Sequence, residues 1–168
     1  AVDDLLRLTT LSVAVGNLDM HAKNISVLHL PDGSHKLAPA YDVVPQLHLV
    51  KDRNFAFAVN GVFRHDDITA DDLITEGVRW RASNPEQIVT DTIAGVRDFV
   101  NTERPLPGAH PDLDRIIDGL CTTLTSPRRR PSTDSSSRRK DRGLGRTSRG
   151  GNGGSYAAQE RHEADFEL

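Results

Sequence analysis

Two short stretches hold the residues best suited to chemistry, GNLDMHAKN at 16–24 and LAPAYD at 37–42. Asp19 and Asn24 stand five positions apart, and a second carboxylate, Asp42, follows. Transfer of a phosphoryl group needs a carboxylate that orients the attacking hydroxyl and accepts its proton, together with oxygen ligands for the magnesium ions that neutralise a triphosphate. Asp19 suits the first task, and Asn24 and Asp42 suit the second. One amide oxygen and one carboxylate make a hard, oxygen-rich site that substrate phosphates would complete.

For these residues to meet, the chain between them must fold back on itself. ISVLHL from Ile25, the turn set Pro31-Asp32-Gly33-Ser34 and then HKLAPAYDVV read as a β-hairpin. A turn centred on Asp32 and Gly33 gives antiparallel partners whose numbers sum to about 65 or 66, which puts residue 42 opposite residue 23 or 24. A bulge would shift this register by one residue without separating Asn24 from Asp42. Phe55 to Val59, followed by the turn signal Asn60-Gly61, reads as a further strand or extended segment whose pairing the sequence leaves open.

The rest of the foldable part is helical in pattern. Asp3 and Asp4 precede Leu5, Leu6, Leu8, Leu11 and Val15 at near-helical spacing, with the carboxylates at the positive end of the helix dipole and Gly16 as the stop. Thr69 and Asp72 resemble a capping box that opens a helix reaching about Trp80. Ser83-Asn84-Pro85-Glu86 starts another, in which Ile88, Val89, Ile93, Val96, Phe99 and Val100 recur at steps of three and four. Pro111 opens a last one through Leu113, Ile116, Ile117, Leu120 and Leu124. The fold class read from this pattern is α+β, mainly helical.

At 168 residues the chain suits one ordinary domain, and a mean hydropathy of −0.47 with 36% hydrophobic residues sits on the polar side of globular proteins. Charge is segregated: residues 1–127 carry 11 basic against 18 acidic residues, residues 128–149 carry 9 against 2, and residues 150–168 carry 1 against 4. From Arg128 the chain reads RRRPSTDSSSRRKDRGLGRTSRGGNGGS, too poor in apolar side chains to offset its ordering entropy. Domain 1–125 is therefore expected to fold, and 126–168 to form a disordered basic tail. That tail is capable of weak contact with a nucleic-acid backbone by charge, although it lacks interleaved aromatics. Its abrupt onset also suits a reading frame lost near its end. No apolar run approaches a membrane span and no signal-like leader precedes the first helix, so a cytoplasmic protein is expected, with no membrane partner. Cys121 has no second cysteine to pair with, which fits a reducing compartment.

Two more residues join the candidate catalytic set. His21 has the reach to orient the Asp19 loop by hydrogen bonds, with a general-base role as the alternative. Lys23 either approaches a phosphate as a point charge or extends into solvent. Histidines 29, 35, 48, 65, 110 and 162 show no metal-ligand spacing along the chain.

GNLDMHAKNISVLHL followed by LAPAYDVVPQ resembles the C-terminal lobe of the HipA-like serine/threonine kinases, the toxin kinases of bacterial toxin–antitoxin modules. The resemblance spans residues 1 to about 120 and is specific over 16–45. It implies a protein-kinase-like C-lobe in which Asp19 is the catalytic base, Asn24 and Asp42 are Mg2+ ligands, and Tyr41-Asp42 stand where other kinases keep Asp-Phe-Gly. It also implies ATP as co-substrate, a protein serine or threonine as acceptor, and a DNA-binding, HipB-like antitoxin as partner. The nucleotide-covering Gly-rich loop and its lysine have no counterpart ahead of Asp19, and the glycines at 143–154 lie on the wrong side. An incomplete lobe, nearly inactive alone and with apolar surface exposed, is the expectation. The alternatives are a non-catalytic remnant or interaction module that docks an antitoxin or separate N-lobe, and a small-molecule kinase of the aminoglycoside or choline type. Lys23, Asn17 and Tyr41-Asp42 depart from the pattern of those small-molecule kinases.

Overall fold

The computed structural model describes residues 1–126; the basic tail from 127 lies outside them. Among the described residues four helices, α1 (Val2–Val15), α2 (Ala70–Trp80), α3 (Pro85–Thr102) and α4 (Leu113–Thr125), accompany two antiparallel hairpins. The first hairpin pairs β1 (Val27–His29) with β2 (His35–Leu37), and the second pairs β3 (Asn54–Val59) with β4 (Val62–Arg64). The α+β, mainly helical reading holds, and the Phe55–Val59 segment finds its partner in the three residues after Asn60-Gly61.

Helix α1 is the hub of the core. Leu6, Val13 and Ala14 are fully buried on it, and they share one cluster with Leu73 of α2, Val89 and Ile93 of α3, and Ile117, Cys121 and Leu124 of α4. The helix ends as its composition requires: Gly16 takes the left-handed conformation (φ 74°), and the Asn17 amide reaches back to the Ser12 carbonyl at 2.8 Å. Helix α2 opens with the complete Thr69–Asp72 capping box. Helix α3 opens on Asn84 with Pro85 in its first turn. Ser83 is tied to the start of α1, its amide and hydroxyl donating to Asp3 at 2.8 and 2.6 Å. These bonds hold the Asp3 carboxyl below the usual range.

Phe99 departs from the expected core face. It is 64% exposed, and with Leu11, Val15, Leu37, Val96 and Ile117 it lines an apolar groove of about 880 Å³ bounded by α1, α3, α4 and β2. Helical periodicity places a side chain on a face; whether the neighbouring element closes over that face is a matter of packing.

His65 ties the second hairpin to α1. It lies in the one-turn helix His65–Asp67 after β4, is 3% exposed, and its Nε2 lies 2.7 Å from the Val13 carbonyl, while its Nδ1 is buried with no hydrogen-bond partner. Nε2 must carry the proton to donate to that carbonyl, so a second proton on Nδ1 would be buried with no acceptor. Burial therefore depresses the His65 pKa, against the raising influence of the Val13 carbonyl and of Asp66. The unfolded chain takes up a proton near pH 6.5 that the folded one refuses, so stability is full above that pH and declines as pH falls toward the folded-state value. Urea midpoints should fall between pH 7.5 and 5.5, and His65→Gln should flatten that slope. An unchanged slope in His65→Gln would show that another group governs it.

Candidate functional site

Both ends of the excursion that carries the candidate residues are pinned at one atom. The Gly16 carbonyl accepts the amides of Gln46 (3.0 Å) and Leu47 (3.1 Å), so residues 17–45 leave from and return to the end of α1. Along 18–21 the chain alternates: Leu18 and Met20 are buried at 8% and 2%, and Asp19 and His21 face solvent. The buried Asn17 accepts the Asp19 amide on its Oδ1 at 3.1 Å, fixing the backbone that presents the carboxylate.

The five-residue spacing of Asp19 and Asn24 has a direct geometric meaning. A single turn, Ala22–Asn24, follows His21 and brings the Asn24 side chain back so that Nδ2 donates to the Asp19 carbonyl at 3.0 Å. With Nδ2 so engaged, Oδ1 is the end left for a cation. His21 places Nε2 3.6 Å from Asp19 Oδ1, beside it but beyond hydrogen-bond length. The Lys23 side chain is exposed and makes no ion pair with a described residue.

The hairpin register differs from the expected one. Val27 pairs with Leu37, Leu28 with Lys36 and His29 with His35, so partner numbers sum to 64. The turn holds three residues where two were expected. Leu30 accepts from Gly33 (2.9 Å) and donates to Ser34 (2.9 Å), Pro31 and Asp32 form the turn, and Gly33 adopts φ 80°. That is a type I turn closed by a left-handed glycine, a geometry that suits the fixed φ of Pro31. The ladder ends early, with the Ala38 amide on the Ser26 carbonyl at 2.8 Å, so residue 42 has no ladder partner at 23 or 24.

Beyond the ladder, one side chain ties the returning arm to the outgoing one. Tyr41 donates its hydroxyl to the Lys23 carbonyl at 2.9 Å. Having one proton, that hydroxyl accepts from Ser26 Oγ at 2.8 Å. Tyr41 thereby clasps the residues on either side of Asn24 and Ile25, and Asp42 follows it immediately. Asp42 is exposed and holds φ 55°, a left-handed conformation unusual for a residue with a side chain. Asn17, Ser26 and Tyr41 went unnoticed as positioning residues in the sequence. Asn17 directly after a helix-ending glycine is a signal that was available; the Tyr41–Ser26 pairing depends on register and was not. Removing the clasp with Tyr41→Phe should cost about 0.5–1.5 kcal/mol and raise hydrogen exchange at Lys23 and Asn24. Unchanged exchange there would mean that the turn holds itself.

No group of three or more His, Cys, Asp or Glu side chains suited to a metal gathers among the described residues. Asn24 and Asp42, the two residues with oxygens suited to magnesium, would leave most of its shell to other oxygen donors. Cys121 offers no nucleophile, because burial pushes its thiol up to about 11. Apolar side chains of the first hairpin and of the segment after it stand in water, among them Val27, Leu28, Leu30 and Val44 at 38–52% exposure. No helix among the described residues is long and apolar enough to cross a membrane.

A family model for the HipA-like C-terminal domain matches residues 1–101, which include α1, both hairpins, α2 and all but the last residue of α3. The match takes in more than half of the chain, and the protein belongs to the HipA-like C-terminal domain family. No curated protein and no solved structure matches it.

Proposed function

We propose that this chain supplies the catalytic and metal-binding half of a HipA-like protein kinase, which transfers the γ-phosphate of ATP to a protein serine or threonine with Mg2+ as cofactor. The observation that carries the reading is the Asn24 Nδ2 bond to the Asp19 carbonyl, which joins an exposed carboxylate to a metal-competent amide on one loop. In this reading Asp19 orients the acceptor hydroxyl and takes its proton, while Asn24 Oδ1 and Asp42 hold magnesium jointly with the nucleotide phosphates. His21 and Lys23 line the approach. In this reading the phosphate-covering loop and its lysine belong to an N-lobe, neither feature lying within residues 1–18. Catalysis here is mainly positioning and charge stabilisation, so turnover requires both halves.

The test is to mix the full chain with a HipA-type N-lobe polypeptide, ATP, Mg2+ and protein substrates, and to follow phosphate transfer. Magnesium-dependent phosphoserine or phosphothreonine supports the reading. Stable assembly of the two halves without any turnover refutes it and favours a second reading, that of an interaction module. The exposed apolar side chains and the groove beside Phe99 speak for that module, whose partner would be an antitoxin or N-lobe.

A further inference from the structure

The hairpin brings together two histidines that no sequence spacing marks. His29 and His35 are register partners in the β1–β2 ladder, with ring centres 4.5 Å apart at an interplanar angle of 63°. Amide bonds link Leu30 with Ser34 and Ala38 with Ser26, so pairs alternate along the ribbon and His29–His35 falls at a non-hydrogen-bonded position. Side chains at such positions lie closest and on one face of the sheet. Both residues are exposed, and neither ring makes a hydrogen bond to a described residue. Each ring is thus able to turn about its own axis without disturbing the ladder.

We infer that His29 and His35 form a two-imidazole site for a borderline transition-metal cation, Cu2+ or Zn2+, at the end of the hairpin. An ion about 2.0–2.1 Å from one nitrogen of each ring sets the ring centres about 4.5–5 Å apart at ordinary ligand angles. The rings already stand at that separation, so binding needs ring rotation and no movement of the strands. Imidazole selects such cations over magnesium, which prefers oxygen, and water fills the remaining positions. The inference is independent of the kinase reading. The other close pair, His48 and His110 at 4.9 Å, spans two loops, and His110 Nδ1 already accepts the Asp112 amide at 3.2 Å.

Calorimetric titration of the full chain with CuCl2, together with electron paramagnetic resonance of the complex, tests the site. One ion with two equatorial nitrogens is expected. His29→Gln and His35→Gln should each weaken binding by more than about tenfold, the loss that follows even removal of a ligand's outer-shell support. Circular dichroism of the metal-free variants should match the parent, because both residues are exposed. A Cu2+ melting shift in the parent and none in the double variant would confirm that the folded ribbon is the ligand. Undiminished two-nitrogen binding in the double variant, loss of binding in His48→Gln/His110→Gln instead, or displacement of Cu2+ by millimolar Mg2+ would each overturn the inference.

Discussion

If the kinase proposal holds, Asp19→Asn, assayed in the presence of an N-lobe, is expected to lower phosphoryl transfer by about 10²–10⁴-fold, the usual contribution of a positioned general base. The fold should be indifferent to the change. The Asp19 side chain is largely in water, and its links to the loop run through the backbone: its amide donates to Asn17 Oδ1 and its carbonyl accepts from Asn24 Nδ2. Asparagine keeps both bonds and loses only the carboxylate. Thermal stability should therefore stay within about 0.5 kcal/mol of the parent. Transfer at the parental rate by a normally folded Asp19→Asn enzyme would remove Asp19 from the mechanism, whereas loss of both activity and stability would show that the residue is structural.

Gly16→Ala should produce a large loss of stability. Its φ of 74° is a left-handed conformation that costs a residue with a side chain about 1–2 kcal/mol. The new Cβ would also lie 2.9 Å from Leu47 Cβ and 3.1 Å from Leu120 Cδ1, and such overpacking costs about 1–3 kcal/mol more. A total of about 2–5 kcal/mol is expected, read as a lower urea midpoint at constant m. Because the Gly16 carbonyl receives Gln46 and Leu47, relief of the clash displaces the base of the loop that bears Asp19, Asn24 and Asp42. Gly119, in α4 with open space at its Cβ position, is the control: Gly119→Ala should be neutral or stabilising. Equal effects at the two positions would show that neither backbone conformation nor packing at Gly16 matters.

The helix boundaries were legible in the sequence because their determinants are local. Gly16, the Thr69–Asp72 box and Asn84-Pro85 act within one turn, on groups that the helix itself leaves unsatisfied. The Asp19–Asn24 relation was equally legible, since a single turn joins the two. The hairpin was legible as a ribbon but not in register. Pro31-Asp32-Gly33 is compatible with a two- or a three-residue turn, and one residue of difference moves every partner by one position. That shift left Asp42 without the ladder contact expected for it and made His29 face His35. His65 looked ordinary in the sequence because its contact with Val13 spans 52 positions.

By itself, then, the order of residues determined the four helices and the first ribbon, each through interactions reaching a few positions along the chain. Tertiary structure decided what closes the excursion onto Gly16, what clasps Tyr41 against Lys23 and Ser26, and why a histidine at position 65 is buried uncharged. Those outcomes depend on the packing of segments remote in sequence, where small differences in turn length and side-chain volume select one arrangement among several that the local pattern permits.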